Sequence, residues 1–392
     1  MKQVILYQKN NNGKVKVWTI AVEKNDSTAT IVSTSGQQGG KMININTIIS
    51  IGKGNKTSYE QACSEAESKV ASKLRAGYVE DISIIKDSKT LGSGIPQPML
   101  AHKYDPTGKQ NNSKNLYQLG ILGKEIFIQK KFDGNRCLTH LTLISATQYT
   151  RKGNEFQSIP HIQNQLIECF NKIYKYVNSK YGVTEYWIDG ELMTKSFSFN
   201  TLNGLLKKQT KTAEDWKMLE EVDYYIYDVI LPVLYSTRKS VVQYFKHKNL
   251  KPTETETIIA TDVLLESKLQ EYIESGEEGL MIRIPDQVYQ NKRSWGLLKY
   301  KVFQDDEYEV VDFEESIKGG MAGNVICKVN TKTIDRDGKE IKTFKAGLKF
   351  SHEEAKEIWN NQSKYIGGMI TIKYFKNSEY GIPRFGKGYR FR

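Results

Sequence analysis

The apolar run Ile126-Phe127-Ile128 leads into Gln129-Lys130-Lys131-Phe132-Asp133-Gly134-Asn135-Arg136 and leaves through Cys137-Leu138. No other stretch restricts the fold as much. The flanking residues favour extended chain, and Asp-Gly breaks it at a fixed point. Two readings follow. In one, Asp133-Gly134 is a hairpin turn and the lysines decorate a solvated edge strand. In the other, a strand presents a lysine as a nucleophile, with a carboxylate, a glycine and a guanidinium at set distances behind it. Lysine attacks phosphorus only as the neutral amine, so it needs a dry pocket or neighbouring positive charge, which Lys130 and Arg136 could supply.

Partners further along decide between them. Arg151-Lys152-Gly153 closes a second strand-like segment, Asp189-Gly190-Glu191-Leu192 a third and Tyr225-Ile226-Tyr227-Asp228-Val229 a fourth. Glu278-Gly279-Leu280-Met281-Ile282-Arg283 and Leu297-Leu298-Lys299-Tyr300-Lys301 come next. One short motif is weak, but several in a fixed order are strong because chance matches multiply. In these residues the chain resembles the covalent nucleotidyltransferase superfamily and, within it, the ATP-dependent DNA ligases. The resemblance runs over residues 96–392.

The resemblance implies a reaction and a role for each residue. Lys131 is the nucleophile that takes AMP from ATP; it stands two residues before Asp-Gly and five before Arg136, and Lys130 does not. Asp133 orients the end of the nick or holds local geometry, and Arg136 meets the ribose or the nick phosphate. Arg151 is a ribose and phosphate contact. Glu191 and Glu278 are the acidic pair beside the α-phosphate, suited to Mg²⁺ with Mn²⁺ as a substitute. Tyr227 stacks on the purine, where the family usually has Phe. Lys299 and Lys301 share one face of a strand and reach the α-phosphate together. Gln129 stands where many cellular members have Glu; its amide can accept from the adenine amino group but also adds a donor. Near the C-terminus, Arg384 and Lys387 belong to a basic closing motif that orients the leaving pyrophosphate. A polar segment, Phe303-Gln304-Asp305-Asp306-Glu307, is the expected hinge for that movement, and the simpler alternative is that the tail completes a barrel strand.

Composition fits a nucleic-acid partner. Lys+Arg number 57 against 45 Asp+Glu, a net charge of +12 and a pI near 9.1, which favours a polyanion. No apolar run approaches the roughly 20 residues needed to cross a bilayer. The N-terminus enters a strand pattern without a signal-peptide core, which predicts a cytoplasmic protein. Cys63, Cys137, Cys169 and Cys327 form no Cys-x-x-Cys pair, so neither a disulfide framework nor the zinc module of the NAD-dependent ligases is expected.

The expected fold is α+β in three domains. Residues 1–90 form a small α+β module with strands at Val4–Tyr7, Val15–Val22 and Thr28–Ser33, a turn at Asn10-Asn11-Asn12-Gly13 and a helix opening at Thr57-Ser58-Tyr59-Glu60. The module resembles the WGR type without its Trp-Gly-Arg and binds DNA or merely stabilises the chain. Gly92, Gly94, Pro96 and Pro98 mark a linker. Residues 96–302 form a nucleotidyltransferase domain of ATP-grasp-like fold, in which Ile162, Leu166, Phe170, Ile173 and Val177 space a helix after Ser158 and Pro160. Residues 303–392 read as an OB-fold barrel, with one helix opening at the capping box Ser351-His352-Glu353-Glu354. The resulting expectation is a monomeric ATP-dependent DNA ligase acting on nicked double-stranded DNA, with no membrane. An RNA ligase or capping guanylyltransferase is the alternative within the superfamily, and a non-catalytic nucleic-acid-binding protein the alternative outside it.

Overall fold

The computed structural model describes residues 2–9, 14–84, 94–157, 159–183, 185–317, 319–335 and 338–392. The expected turn at 10–13, Gly92 of the linker and Ser158 lie outside them. Contacts divide the chain into two compact units, Met1–Lys73 with Tyr78–Lys86 and Val302–Arg392, and Leu74–Gly77 with Asp87–Lys301.

The first unit opens with β1 (Val4–Lys9), β2 (Val15–Lys24), β3 (Ala29–Gln37) and β4 (Met42–Ile49), an antiparallel sheet in chain order. Strand β4 is an addition to the sequence reading. Its alternation of Ile43, Asn44, Ile45 and Asn46 has the period of a strand, but it lies on the sheet edge and Ile48 remains 69% exposed. Helix α1 (Ser58–Arg75) starts at the expected capping box: Glu60 N donates to Thr57 Oγ1 at 3.2 Å and Thr57 N to Glu60 Oε2 at 2.8 Å. Gly77 follows it at φ +91°, a left-handed stop.

The second unit holds β5 (Leu100–Tyr104), β6 (Ser113–Lys114), β7 (Glu125–Lys131), β8 (Asn135–Leu141), β9 (Ala146–Thr150) and α2 (Pro160–Tyr181). Then come β10 (Tyr186–Met193), α3 (Phe199–Lys207), α4 (Ala213–Leu219), β11 (Asp223–Val229), α5 (Tyr235–Val242) and β12 (Leu250–Pro252). The unit ends with β13 (Glu256–Ile259), α6 (Asp262–Glu274), β14 (Gly279–Arg283) and β15 (Arg293–Tyr300). The strands make two sheets, one ordered β12-β11-β10-β8-β9 and the other β13-β7-β14-β15-β5-β6.

Each sheet has its own core. Helix α2 begins with Pro160 at its first turn, where the missing N–H costs nothing, and ends at Gly182 with φ +65°. Its spaced residues Ile162, Leu166, Phe170, Ile173 and Val177 are all buried with Cys137, Ile188, Leu192 and Tyr224 of the first sheet. Under the second sheet, Leu265 and Leu269 of α6 join Ile126, Ile128, Leu280, Ile282 and Leu298.

Asp133-Gly134 is therefore not a hairpin turn. Strand β7 pairs with β13 and β14, whereas β8 pairs with β9 and β10, so residues 132–134 carry the chain from one sheet to the other. Gly134 is required at this crossing. A Cβ there would lie 2.5 Å from Leu192 O and 2.8 Å from Glu191 Cγ.

Beyond the second unit, β16 (Gln304–Glu315), β17 (Ala322–Ile334), β18 (Glu340–Leu348), α7 (His352–Asn360), β19 (Met369–Tyr374) and β20 (Lys387–Phe391) form a closed barrel with order β16-β17-β18-β20-β19. Ser351 and Glu354 cap α7 reciprocally, as the sequence predicts. The expected hinge is corrected here. Gln304 to Glu307 are the first residues of β16, paired with Tyr374 to Thr371 of β19. Asp305 accepts from Tyr389 Oη at 2.6 Å, Asp306 from the Tyr374 hydroxyl and Glu307 from Arg392 Nε at 2.6 Å. Only residues 301–303 lie between β15 and β16.

Candidate active site

The two sheets of the second unit enclose a cavity of about 230 Å³. The strand β7 contributes Gln129 and Lys131, β8 Arg136, β10 Glu191 and β11 Tyr227; β14 adds Met281 and Arg283, and β15 Arg293, Leu297 and Lys299, with Arg151 just beyond β9. Pairing register explains the convergence. Gln129 stands opposite Met281, and Met281 opposite Lys299, so one row of side chains crosses three strands. On the facing sheet Glu191 is paired with Arg136.

Lys131 is ion-paired through Nζ to Glu278 Oε2, and Lys301 Nζ reaches Glu278 Oε1 at 2.7 Å. One carboxylate thus ties the motif lysine to the lysine that follows β15. Glu278 is placed by its own backbone, whose N donates to Lys131 O at 2.9 Å. The next residue must be glycine: Gly279 has φ +144°, and a Cβ would meet Tyr300 O at 2.5 Å. Lys130 points elsewhere. Its Nζ is 3.8 Å from Glu277 Oε1 and 5.9 Å from the Tyr272 ring centroid.

Arg136 is committed to the protein. Its Nε donates to Asp189 Oδ1 at 2.9 Å and its Nη2 to Asp189 Oδ2 and, at 2.7 Å, to Met99 O. Asp189, 1% exposed, also accepts from Tyr289 Oη at 2.7 Å. The guanidinium lines the cavity with its Nε and Nη2 edge occupied. Tyr227 lies near two such groups, its ring centroid 5.8 Å from Arg136 Cζ and 5.7 Å from Arg283 Cζ.

Gln129 is 2% exposed and fully engaged, with Oε1 accepting from Arg283 Nε at 2.6 Å and Nε2 donating to Tyr235 Oη at 2.8 Å and Thr255 Oγ1 at 3.0 Å. Behind it Arg283 Nη1 donates to Asp228 Oδ2 at 2.6 Å, and Arg238 Nε to Asp228 Oδ1 at 2.7 Å. Arg283, Asp228 and Arg238 are each at most 3% exposed. Sequence reasoning passed over Asp189, Asp228, Arg238, Tyr235 and Thr255 as site residues. Asp189 and Asp228 sit inside motifs already singled out; the other three carry no local signal.

Positive charge dominates the electrostatics. Burial, then Lys301, Lys131 and Arg293, push the Lys299 ammonium down to about 8, and burial with Arg136 and Arg293 lowers Arg151. Glu191 is pushed up to about 7 by burial, which outweighs the pull of Lys131 and Arg136. Such a pocket suits a polyanion whose charge these cations would neutralise. Of the remaining expected residues, Asp133 lies in the crossing between the sheets, while Arg384 and Lys387 belong to the barrel, Lys387 lying across Gly347 of β18.

Glu191 gives a pH test. A carboxyl whose folded pKa is raised contributes stability that is complete below its unfolded value and is lost as pH rises through the folded one. Glu191→Gln cannot lose it. In nucleotide-free and metal-free buffer the variant should melt close to the parent at pH 5 and above it at pH 8, by on the order of 1–3 kcal/mol of stability. A melting difference that does not change with pH would contradict the assignment.

Comparison with known proteins places this geometry in a family. The family described as ATP dependent DNA ligase domain matches residues 98–301, and the one described as DNA ligase OB-like domain matches residues 318–392. The chain is similar to the DNA ligase of Enterobacteria phage T4, 24% identical over 319 residues that make up 70% of this chain and 63% of that protein. DNA ligase 2 of Methanosarcina mazei is 26% identical over 283 residues, 64% of this chain and 46% of that one. The chain thus spans 63% and 46% of the length of these relatives. A solved Lig E DNA ligase aligns with a TM-score of 0.53 at 21% identity, over 76% of this chain and 100% of that one. The structure named Pmar-Lig aligns with a TM-score of 0.57 at 22% identity, over 76% and 68%. At this identity the structural likeness speaks for the fold, a nucleotidyltransferase unit followed by an OB barrel. With a family match over the whole two-sheet unit, the chain belongs to the ATP-dependent DNA ligase family.

Proposed function

We propose that this chain seals nicks in duplex DNA at the expense of ATP, as a monomer, with Lys131 as the nucleophile. The observation that carries the reading is Lys131, ion-paired with Glu278, which also holds Lys301, at a cavity that presents Arg136, Arg151, Arg283, Arg293 and Lys299 as well. Lys131 Nζ attacks the α-phosphorus of ATP; a P–N bond forms, the bond from that phosphorus to the bridging oxygen breaks, and pyrophosphate leaves. A 5′-phosphate oxygen at the nick then displaces Lys131 and takes the adenylyl group. Finally the 3′-hydroxyl attacks that 5′-phosphate and AMP departs.

The residues divide the work by charge and position. The amine must be neutral when it attacks. Lys299, Lys301 and Arg151 stabilise charge that builds on the transferring phosphoryl group. Arg136, fixed by Asp189, and Tyr227 beside it shape the nucleoside side of the pocket.

Glu191 and Glu278 are hard oxygen donors facing the same ammonium. Among the described residues no three His, Cys, Asp or Glu side chains converge as a metal cage. That donor set fits Mg²⁺, which binds through one or two carboxylates and completes its shell with water and substrate phosphates. When bound, the ion would supply Lewis-acid charge neutralisation at the phosphates.

The N-terminal sheet and helix would add DNA affinity without sequence preference, a role supported by the charge of Lys14, Lys16, Lys41, Lys53, Lys56, Lys69 and Arg75.

Two measurements test these assignments. With α-phosphate-labelled ATP, Lys131→Ala should abolish covalent labelling, and Lys130→Ala should retain most of it; the nucleophile is misassigned if peptide mass spectrometry finds AMP on Lys130. Removing residues 1–90 should weaken nick binding and flatten its salt dependence while Lys131 still labels. Equal nick affinity of the truncated and full chains at every salt concentration would remove the module from DNA contact.

A further inference from the structure

Tyr289 stands on the connection between β14 and β15, with its ring buried in a small cluster with Met99 and Leu297. Its hydroxyl is used twice. Met99 N donates to Tyr289 Oη at 2.9 Å, and Tyr289 Oη donates to Asp189 Oδ2 at 2.7 Å. Burial and then the Asp189 carboxylate hold this hydroxyl well above the usual tyrosine range, so it keeps the proton it donates.

The contacts close into a ring. Arg136 Nη2 donates to Asp189 Oδ2 and, at 2.7 Å, to Met99 O, so that Arg136, Asp189, Tyr289 and Met99 are joined in one circuit. Arg136 and Asp189 belong to β8 and β10 of one sheet, whereas Met99 and Tyr289 precede β5 and β15 of the other. The ring is therefore a buried polar bridge between the sheets, separate from the covalent crossing at residues 132–134. Its Met99 side is fastened in turn: Leu100 N donates to Lys292 O at 3.0 Å and Asn291 Nδ2 to Gln97 O at 2.8 Å.

The ring also decides what Arg136 can offer. The single N–H of Nε goes to Asp189 Oδ1 and the two of Nη2 go to Asp189 Oδ2 and Met99 O, which leaves Nη1 to meet a ligand. Without the Tyr289 hydroxyl, Asp189 loses a donor and Met99 N its acceptor, where Asp189 is 1% and Met99 2% exposed. Buried groups left unpaired in this way turn to find other partners, and Arg136 turns with them.

We propose that Tyr289 is a positioning residue for nucleotide capture: its hydroxyl latches the two sheets through Asp189 and Met99 and so fixes the direction in which Arg136 presents Nη1 to the cavity. This rests on the reading that the cavity takes a nucleoside triphosphate. A misdirected guanidinium weakens the bound state that it shapes, so the loss falls on the half-saturating nucleotide concentration more than on the maximal rate.

The test uses the full chain and follows covalent labelling by ATP labelled at the α-phosphate. Tyr289→Phe keeps the ring packed against Met99 and Leu297 and removes only the hydroxyl. It should raise the half-saturating ATP concentration on the order of tenfold while the maximal rate changes much less. The decisive comparison repeats Tyr289→Phe in an Arg136→Gln background, where a residue that acts through Arg136 has nothing left to position and the increase should disappear. Should Arg136→Gln fail to melt cooperatively, Arg136→Lys, which keeps the charge and loses the fork, takes its place. An unchanged half-saturating concentration in a Tyr289→Phe protein that melts cooperatively would overturn the proposal, as would an equal increase in both backgrounds or a loss confined to the maximal rate. Absence of labelling of the parent would instead overturn the underlying catalytic reading, and this proposal with it.

Discussion

The whole site depends on one covalent constraint: three residues, 132–134, carry the chain from the sheet that holds Lys131 to the sheet that holds Arg136. Two sheets joined so tightly cannot drift apart at that point, and the cleft between them is where the motifs accumulate. Gly134 makes the crossing possible because backbone of β10 passes where a side chain would stand. That same strand carries Glu191, so the residue that permits the crossing also sets an acid beside the lysine.

Buried ion pairs then fix the side chains. Asp189 grips Arg136, and Asp228 grips both Arg283 and Arg238. Such pairs add little net stability, since desolvation offsets most of the attraction, but removing one partner from a buried pair costs roughly 3–5 kcal/mol. Their contribution here is orientation. Arg136 and Arg283 are both held close to the Tyr227 ring, and Arg283 in turn fixes the Gln129 amide. Among the described residues no such buried ion pair tethers Lys299 or Arg151, and these are groups whose charged forms burial and neighbouring cations disfavour. An incoming anion would relieve that penalty.

Much of this was legible in the sequence, for identifiable reasons. Lys131, Glu191, Tyr227, Glu278 and Lys299 come together because each motif is a short strand segment, and strand pairing converts order along the chain into neighbouring rows. Helix α2 was readable from its apolar spacing, and α1 and α7 from capping boxes, all local signals. What the sequence left open or misread was tertiary. Asp133-Gly134 has the composition of a hairpin turn, and only the choice of partners for β7 and β8 shows that it is a crossing. Asp305, Asp306 and Glu307 look like a polar connector, yet each finds a donor across the barrel in Tyr389, Tyr374 or Arg392. Strand β4 escaped because its asparagines lower strand propensity and its edge position leaves isoleucines exposed. Arg238 could not be read at all: a buried arginine in a helix is defined only by the aspartate it meets.

As the proposed nucleophile, Lys131 would form a covalent bond to the α-phosphorus of a nucleoside triphosphate held between the two sheets. The most direct measurement incubates the full chain separately with ATP labelled at the α-phosphate and ATP labelled at the γ-phosphate, denatures it, and counts protein-bound label. Retention of the α-label alone, released by added pyrophosphate before denaturation, is the predicted result. Retention of the γ-label, or of neither, would contradict it.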